Sequence, residues 1–154
     1  MKILVDANVI LDILLKREPY YTDSATVSKM CETEMAEGHI SALTFANLVY
    51  IMRKELDPDS IEQVLKTLLM IFRLDDLTRS DICNAASLKW NDFEDAVQTV
   101  IAKRIDADYL ITRNIKDFEG GKIRAVTPKE FTRRKVRAHR RDHQKLQGDP
   151  RRKA

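Results

Sequence analysis

Short runs of β-branched and aliphatic residues alternate along this chain with longer segments whose apolar positions recur at helical spacing. That alternation admits few folds. The strand candidates are Ile3-Leu4-Val5, Ile40-Ser41-Ala42-Leu43, Tyr109-Leu110-Ile111-Thr112, Ile123 to Thr127, and the weaker, edge-like run from Ile71-Phe72-Arg73-Leu74 through Leu77. Helices are expected over Val9 to Leu15, started by Asp6, Ala7 or Asn8, and from Thr22 or Asp23 to about Glu37, where Gly38 stops the helix. Thr44 opens another to about Leu56. Asp57-Pro58 precedes a strongly amphipathic one, with Ile61, Val64, Leu65, Leu68 and Leu69 on one side. Thr78 with Asp81 forms a capping box for a helix to about Trp90, Phe93 to Ile105 makes the next, Gly120-Gly121 makes a turn, and Pro128 opens the last. Strands alternating with helices imply an α/β fold: a parallel sheet with helices on both faces.

The charge is unevenly spread. Lys and Arg number 27 and Asp and Glu 24, a net of +3, but residues 129–154 hold eleven basic residues against three acids and carry +8. Residues 1–128 therefore carry −5. An acidic body with a basic tail points to a polyanionic partner. Two cysteines, Cys31 and Cys83, exclude a disulfide framework and a cysteine-based zinc site, and are expected to be buried thiols. No apolar run approaches the ~20 residues of a membrane span, and the N-terminus reaches Asp6 too early for a signal peptide. A cytoplasmic protein with no membrane partner is expected.

Ligand sites in a parallel sheet gather at the carboxyl ends of the strands. Asp6 ends the first strand; Arg113, Asn114 and Asp117 follow the strand at Tyr109-Leu110-Ile111-Thr112; Asn91-Asp92-Phe93-Glu94-Asp95 begins a helix between them. Asp92 and Asp95, three apart, share a helix face. Each acid alone has an ordinary explanation: Asp92 and Glu94 or Asp95 as helix-start residues, Asp117 in a turn, Asp6 as a cap, Asp12 facing solvent. Together, Asp6, Asp95 and Asp117 point to one site. Carboxylates sharing a cleft resist ionising, and Mg²⁺ or Mn²⁺, which take hard oxygen ligands, relieve that conflict. No His lies in these segments, so metal-dependent phosphodiester hydrolysis fits better than a His-centred mechanism.

Three segments carry a family resemblance. Leu4-Val5-Asp6-Ala7-Asn8-Val9-Ile10-Leu11-Asp12 looks like the opening of a PIN domain; Asp92-Phe93-Glu94-Asp95-Ala96-Val97-Gln98 and Ala107-Asp108-Tyr109-Leu110-Ile111-Thr112-Arg113-Asn114-Ile115-Lys116-Asp117-Phe118 resemble its later motifs. The resemblance spans residues 1–132 and implies a three-layer α/β/α sandwich around a parallel sheet. It also implies a divalent-metal-dependent ribonuclease with Asp6, Asp95 and Asp117 as ligands, Asp92 near the metal and Asn114 as a polar contact. Many small bacterial members are the toxin of a toxin–antitoxin pair, as in VapC-type proteins, and many form homodimers, so an antitoxin and a second copy are candidate partners beside RNA. One position departs from the pattern. Where many members carry a Glu, this chain has Asn47, which either coordinates through its carbonyl or, three residues after Thr44, serves a helix start. The alternative to an active nuclease is therefore an RNA-binding PIN-fold module whose cleavage is weakened or lost.

Residues 133–154 form a basic extension, helical at first and expected to be disordered over Gly148 to Ala154. Arg133, Arg134, Lys135 and Arg137, with Arg113, are the candidate RNA contacts. Trp90, Phe72 and Phe93 are expected to anchor the core rather than to serve as base-stacking platforms. A phosphoacceptor domain of the response-regulator kind wants paired acids after the first strand and a Lys after the last, and Asp6-Ala7-Asn8 with Thr127-Pro128 supplies neither.

Overall fold

Val5 and its neighbours Ile3 and Leu4 are completely buried, as a central strand requires. In the computed structural model, which describes residues 1–147, this strand, β1 (Lys2–Val5), lies mid-sheet. The other strands are β2 (Glu37–Ser41), β3 (Arg73–Asp75), β4 (Tyr109–Ile111) and β5 (Ala125–Val126), in the order β3-β2-β1-β4-β5 and all parallel. The chain builds outward from β1 through β2 to β3, then crosses back to β4 on the other side. The point of reversal lies between β1 and β4, where Leu4 pairs with Leu110 and Val5 with Ile111. A crevice outside the carboxyl ends of those two strands is the expected ligand site.

The helices are α1 (Ala7–Leu14), α2 (Tyr21–Glu32), α3 (Ala42–Met52), α4 (Pro58–Ile71), α5 (Arg79–Leu88), α6 (Phe93–Arg104) and α7 (Pro128–Gln147), with a 3-10 helix at Ile115–Gly121. They cover both faces of the sheet, giving the expected α/β/α layering. One core joins Ile3, Val5, Val9, Val27, Leu48, Leu68 and Phe131; the other joins Leu4, Val97, Ile101, Leu110 and Phe118.

Local chemistry sets the boundaries. Asp57 caps α4 ahead of Pro58, and the Thr78–Asp81 capping box forms as expected. Asp81 is almost wholly buried yet gains a bidentate ion pair from Arg104, at 2.9 and 3.0 Å, which locks α5 to α6. Burial alone would raise this carboxyl; the bonds from Arg104 and Thr78 outweigh it and hold it below the usual range.

Several expectations are corrected. Gly38 does not stop a helix: α2 ends at Glu32, Glu34 turns the chain with φ 58°, and Gly38 lies inside β2. A Cβ at Gly38 would stand 2.6 Å from Cys31 Sγ and 2.7 Å from Phe72, so only glycine lets the strand pass there. Ser41, not Thr44, starts the third helix, since its Oγ accepts from the Thr44 N–H at 3.1 Å. That removes the helix-start role considered for Asn47, which sits in the second turn. Phe72 is a core residue and the half-buried Trp90 packs against the second core, as expected, but Phe93 is 45% exposed. Cys31 is buried, which pushes its thiol up to about 12, whereas Cys83 is exposed.

α7 starts at the carboxyl edge of the sheet, beyond β5, and by Phe131 has descended to Tyr109 at the amino end of β4, where the rings meet edge to face at 5.7 Å. Arg133, Arg134 and Arg137 are exposed and Lys135 half-buried along its continuation. The helix thus runs away from the carboxyl edge. The expectation for Gly148 to Ala154 lies outside the described residues. No helix among the described residues is long and apolar enough to cross a membrane.

Candidate metal and nucleic-acid site

Asp6 is the hub of the crevice between β1 and β4. The peptide N–H of Asp6 donates to Ile111 O at 3.0 Å, holding the residue at the end of both strands. Its carboxylate is 7% exposed and takes four hydrogen bonds. Oδ1 accepts from Ala7 N–H at 2.7 Å and from Gln98 Nε2 at 2.9 Å; Oδ2 accepts from Asn8 Nδ2 at 2.9 Å and from Thr112 Oγ1 at 2.8 Å. A carboxylate offers about four lone-pair sites, so all are engaged. Asp6 therefore caps α1 while also joining α6 and the loop after β4.

Asp92 caps α6 through a bond from the Asp95 N–H at 3.1 Å. This places Glu94 and Asp95 in the first turn of α6, beside Asp6. Asp117 stands in the 3-10 helix after β4, its N–H donating to Asn114 O at 3.1 Å. One open cavity of about 450 Å³ is lined by Asp6, Asn8, Asn47, Tyr50, Asp92, Glu94, Asp95, Asn114 and Asp117. Six residues singled out from the sequence, Asp6, Asn47, Asp92, Asp95, Asn114 and Asp117, thus share one cavity. A second cavity of about 450 Å³ meets it along Asp92, Asp95 and Asp117 and continues to Lys89, Trp90 and Gly120.

The electrostatics are those of crowded acids. Burial, then the charges of Asp92, Asp6, Asp117 and Glu94, push the Asp95 carboxyl up to about 7. Burial also raises Glu94; the Asn47 amide beside it opposes the shift, and Asp6 and Asp92 add to it.

The other named residues lie elsewhere. Asp12 does not face solvent: it is fully buried, and Arg113 Nε stands 3.1 Å from its Oδ2. Burial raises the Asp12 carboxyl against the opposing charge of Arg113. The Arg113 guanidinium also lies 4.3 Å from the Tyr20 ring centroid, in a separate cavity of about 220 Å³ with Lys129. Arg133, Arg134, Lys135 and Arg137 are on α7 and line neither acidic cavity. His39 is buried on β2, with Nδ1 2.7 Å from Asp75 Oδ2 and Nε2 2.8 Å from Glu37 Oε1, and it does not line the acidic cavity.

Sequence reasoning passed over Glu94, Gln98, Thr112, Asn8 and Tyr50 as site residues. Gln98 was the most accessible of these: it follows Asp95 by three, and that spacing alone puts both on one helix face. Thr112 and Asn8 become meaningful only once β1 and β4 are known to be neighbours.

The donors fit a hard divalent cation in chemistry, since every side chain lining the cavity that can ligate does so through oxygen. They are not preassembled: among the described residues no three acidic, His or Cys side chains stand as a ready ligand group. A cation drawing on Asp6 must displace one of its donors, and the side-chain amides of Asn8 and Gln98 can rotate away where the Ala7 N–H cannot.

Known proteins share this architecture. FitAcB from Neisseria gonorrhoeae superposes with a TM-score of 0.64 at 20% identity, over 82% of this chain and 97% of that one. A toxin–antitoxin complex from Klebsiella pneumoniae gives a TM-score of 0.60 at 23% identity, over 81% and 96%. VapC20 from Mycobacterium tuberculosis, described as a sarcin–ricin-loop-cleaving toxin, gives 0.57 at 10% identity, over 70% and 86%. No curated protein matches the chain by sequence. The family model described as PIN domain matches residues 2–116, most of the chain, and on that match the protein belongs to the PIN domain family.

Proposed function

We propose that this protein is a divalent-metal-dependent endoribonuclease, and that the acidic crevice at β1 and β4 is its active site. The observation that carries this reading is that Asp6, Asp92, Glu94, Asp95 and Asp117 line one cavity at the carboxyl ends of β1 and β4, a crowding that also raises the Asp95 carboxyl. Such a cleft repels a phosphodiester until a cation neutralises it. Asp6, Asp95 and Asp117, with Asp92 close by, would hold Mg²⁺ or Mn²⁺, which supplies charge neutralisation at the phosphate and lowers the pKa of water. Asp6, fixed by its four donors, sets the position of the other groups. Asn114 lines the same wall and offers an amide to substrate oxygens.

Asn47 bears on whether the site is active. It brings no charge, but Glu94 lies beside it in the same cavity and contributes the carboxylate that Asn47 lacks. This favours the nuclease over an RNA-binding module that has lost cleavage. The test is cleavage of single-stranded RNA by the full chain across a titration reaching millimolar Mn²⁺. Glu94→Gln is expected to lower the rate at least about 10-fold and to raise the Mn²⁺ needed for half-maximal rate, in the range for groups supporting a metal site. If the wild-type chain never cuts RNA in that titration, the binding-module reading replaces this one.

The toxin–antitoxin complex among the structural neighbours supports a role as the toxin of a type II pair with a cognate antitoxin as partner; a cytoplasmic location and a second copy of the chain as partner belong to the same proposal. Residues 1–132 then form the nuclease domain: Phe131 and Thr132 are buried, while Arg133 and Arg134 are exposed. The extension over 133–154 adds sequence-independent RNA affinity through Arg133, Arg134, Lys135 and Arg137, whereas Arg113 is paired with buried Asp12 and lines a separate cavity. Replacing Arg133, Arg134 and Arg137 by Ala together should reduce the slope of log affinity against log salt by about 2, since each phosphate neutralised on a single strand accounts for about 0.7. RNA affinity titrated between low and high salt checks this.

A further inference from the structure

Resting on that reading, we propose that the two cavities meeting at Asp92, Asp95 and Asp117 are nucleotide subsites. They would hold the bases on either side of the scissile phosphate of a single-stranded RNA, with Trp90 and Tyr50 as the stacking platforms. The two spaces are separate in their outer walls and common in their inner one. Each measures about 450 Å³, within the range of clefts that hold small ligands, roughly 300–1,000 Å³. The shared wall is the group of acids that a cation would occupy, so a chain crossing it has a base free to enter each cavity.

Each cavity is lined by one aromatic side chain, Tyr50 in the first and Trp90 in the second; Lys89 also lines the second, and Arg53 and Lys54 lie over the Tyr50 ring. Tyr50, 57% exposed on α3, has the Arg53 guanidinium 4.0 Å and the Lys54 ammonium 5.9 Å from its ring centroid. Trp90 follows Lys89, whose left-handed φ of 56° turns the chain sharply out of α5. The indole is half-buried and braced by the 3-10 helix: a Cβ on Gly121 would lie 3.0 Å from its Cη2, so the absence of one lets the ring settle there. The charge order along the path is therefore cation, acids, cation. That order suits a polyanion whose central phosphate meets the acid-bound cation and whose flanking phosphates meet Lys89 on one side and Arg53 or Lys54 on the other. Stacking on an aromatic face needs an unstacked base, which a duplex does not offer.

Trp90 is the one tryptophan in the chain, so its fluorescence reports on its own cavity. The full-length Asp95→Asn protein, which holds RNA uncut, is titrated in Mg²⁺ with hexauridylate, with an abasic ribose-phosphate chain of equal length, and with an RNA duplex. Binding is read in parallel by anisotropy of labelled oligomers. Hexauridylate should quench Trp90 on binding, and the abasic chain and duplex should not. Tyr50→Ala should weaken hexauridylate binding about 10-fold, and Tyr50→Phe should restore it, in line with the value of one stacked base. Tyr50 is exposed, so its replacement spares the fold. Binding without any change in Trp90 fluorescence, equal binding of the abasic chain, wild-type affinity in Tyr50→Ala, or no RNA binding at all would each overturn the subsites. Cleavage by the wild type alongside such a result leaves the nuclease standing; stacking without cleavage leaves the subsites and removes the nuclease.

Discussion

Asp95→Asn should eliminate metal-dependent RNA cleavage and, at the same time, make the metal-free protein more stable above neutral pH. The activity loss is expected to exceed about 100-fold, beyond what removing a mere supporting partner of a metal site costs, because Asp95 is the acid the other four press upon. The gain in stability follows from the same crowding. The folded-state carboxyl sits at about 7 against an ordinary 3.8, so between those values the native state holds a proton that the unfolded chain has released. Stability attributable to this group then falls as pH rises through that window, and the loss is complete above about 7. Asn never ionises, so the variant escapes the loss. Solvent screening around this partly exposed side chain reduces the effect to about 1–2 kcal/mol, or roughly 3–6 °C in Tm for a domain of this size. Thermal unfolding in chelator at pH 8 and pH 4 checks it: Asp95→Asn should melt higher than wild type at pH 8 and level with it at pH 4. Saturating Mn²⁺ should raise the Tm of both proteins, and by more in the wild type, since Asp6, Asp92 and Asp117 remain in the variant to hold the ion. Equal melting at pH 8 would show that the acids are not in conflict, and the case for a cation there would lapse.

The largest stability effect is expected at the Asp12–Arg113 pair. Both Asp12 oxygens are buried without a well-formed hydrogen bond, and Arg113 at 3.1 Å supplies the opposing charge. Arg113→Met leaves that buried carboxylate with only Arg17, the weaker of its two opposing charges, which costs up to about 3–5 kcal/mol. The penalty should shrink at acid pH. Burial already holds the Asp12 pKa above its ordinary value, and losing Arg113 raises it further, so the native state takes up a proton the unfolded chain lacks and stability falls as pH rises. Denaturant unfolding should therefore show a smaller deficit at pH 5 than at pH 8. Replacing both residues, Asp12→Leu with Arg113→Met, should recover most of the loss, since a buried pair removed whole is often close to neutral. A double variant no better than Arg113→Met would mean that packing by the arginine against Tyr20, not charge, is what matters there.

These two acids show where reading the sequence succeeds. Asp95 is recognisable because a helix start, a neighbouring Asp92 and a motif place it, all within seven residues. Asp12 reads as solvent-facing because the cations near it in the sequence, Lys16 and Arg17, do not imply burial; its ion-pair partner lies 101 positions away, brought there by the pairing of β1 with β4. Phe93 goes the other way, an aromatic expected inside and found 45% exposed. Asn47 reads as a missing charge until the fold brings the first turn of α6 to the cavity and Glu94 stands beside it.

The sequence by itself determined the order of strands and helices and the α/β class, and it singled out Asp6, Asp95 and Asp117 as candidates that the fold brings to one cavity, because hydrophobic periodicity and helix caps are written in residues close together along the chain. It also held the split between a body at −5 and an extension at +8. Only the tertiary structure decided that Asp6 is saturated by four donors, that Glu94 stands next to Asn47, that two cavities share one acidic wall, and that α7 carries its cations away from that wall. The physical reason is common to all four. Each depends on distances between segments far apart in sequence, set by strand order and by which helix faces meet, and no local pattern encodes a distance of that kind.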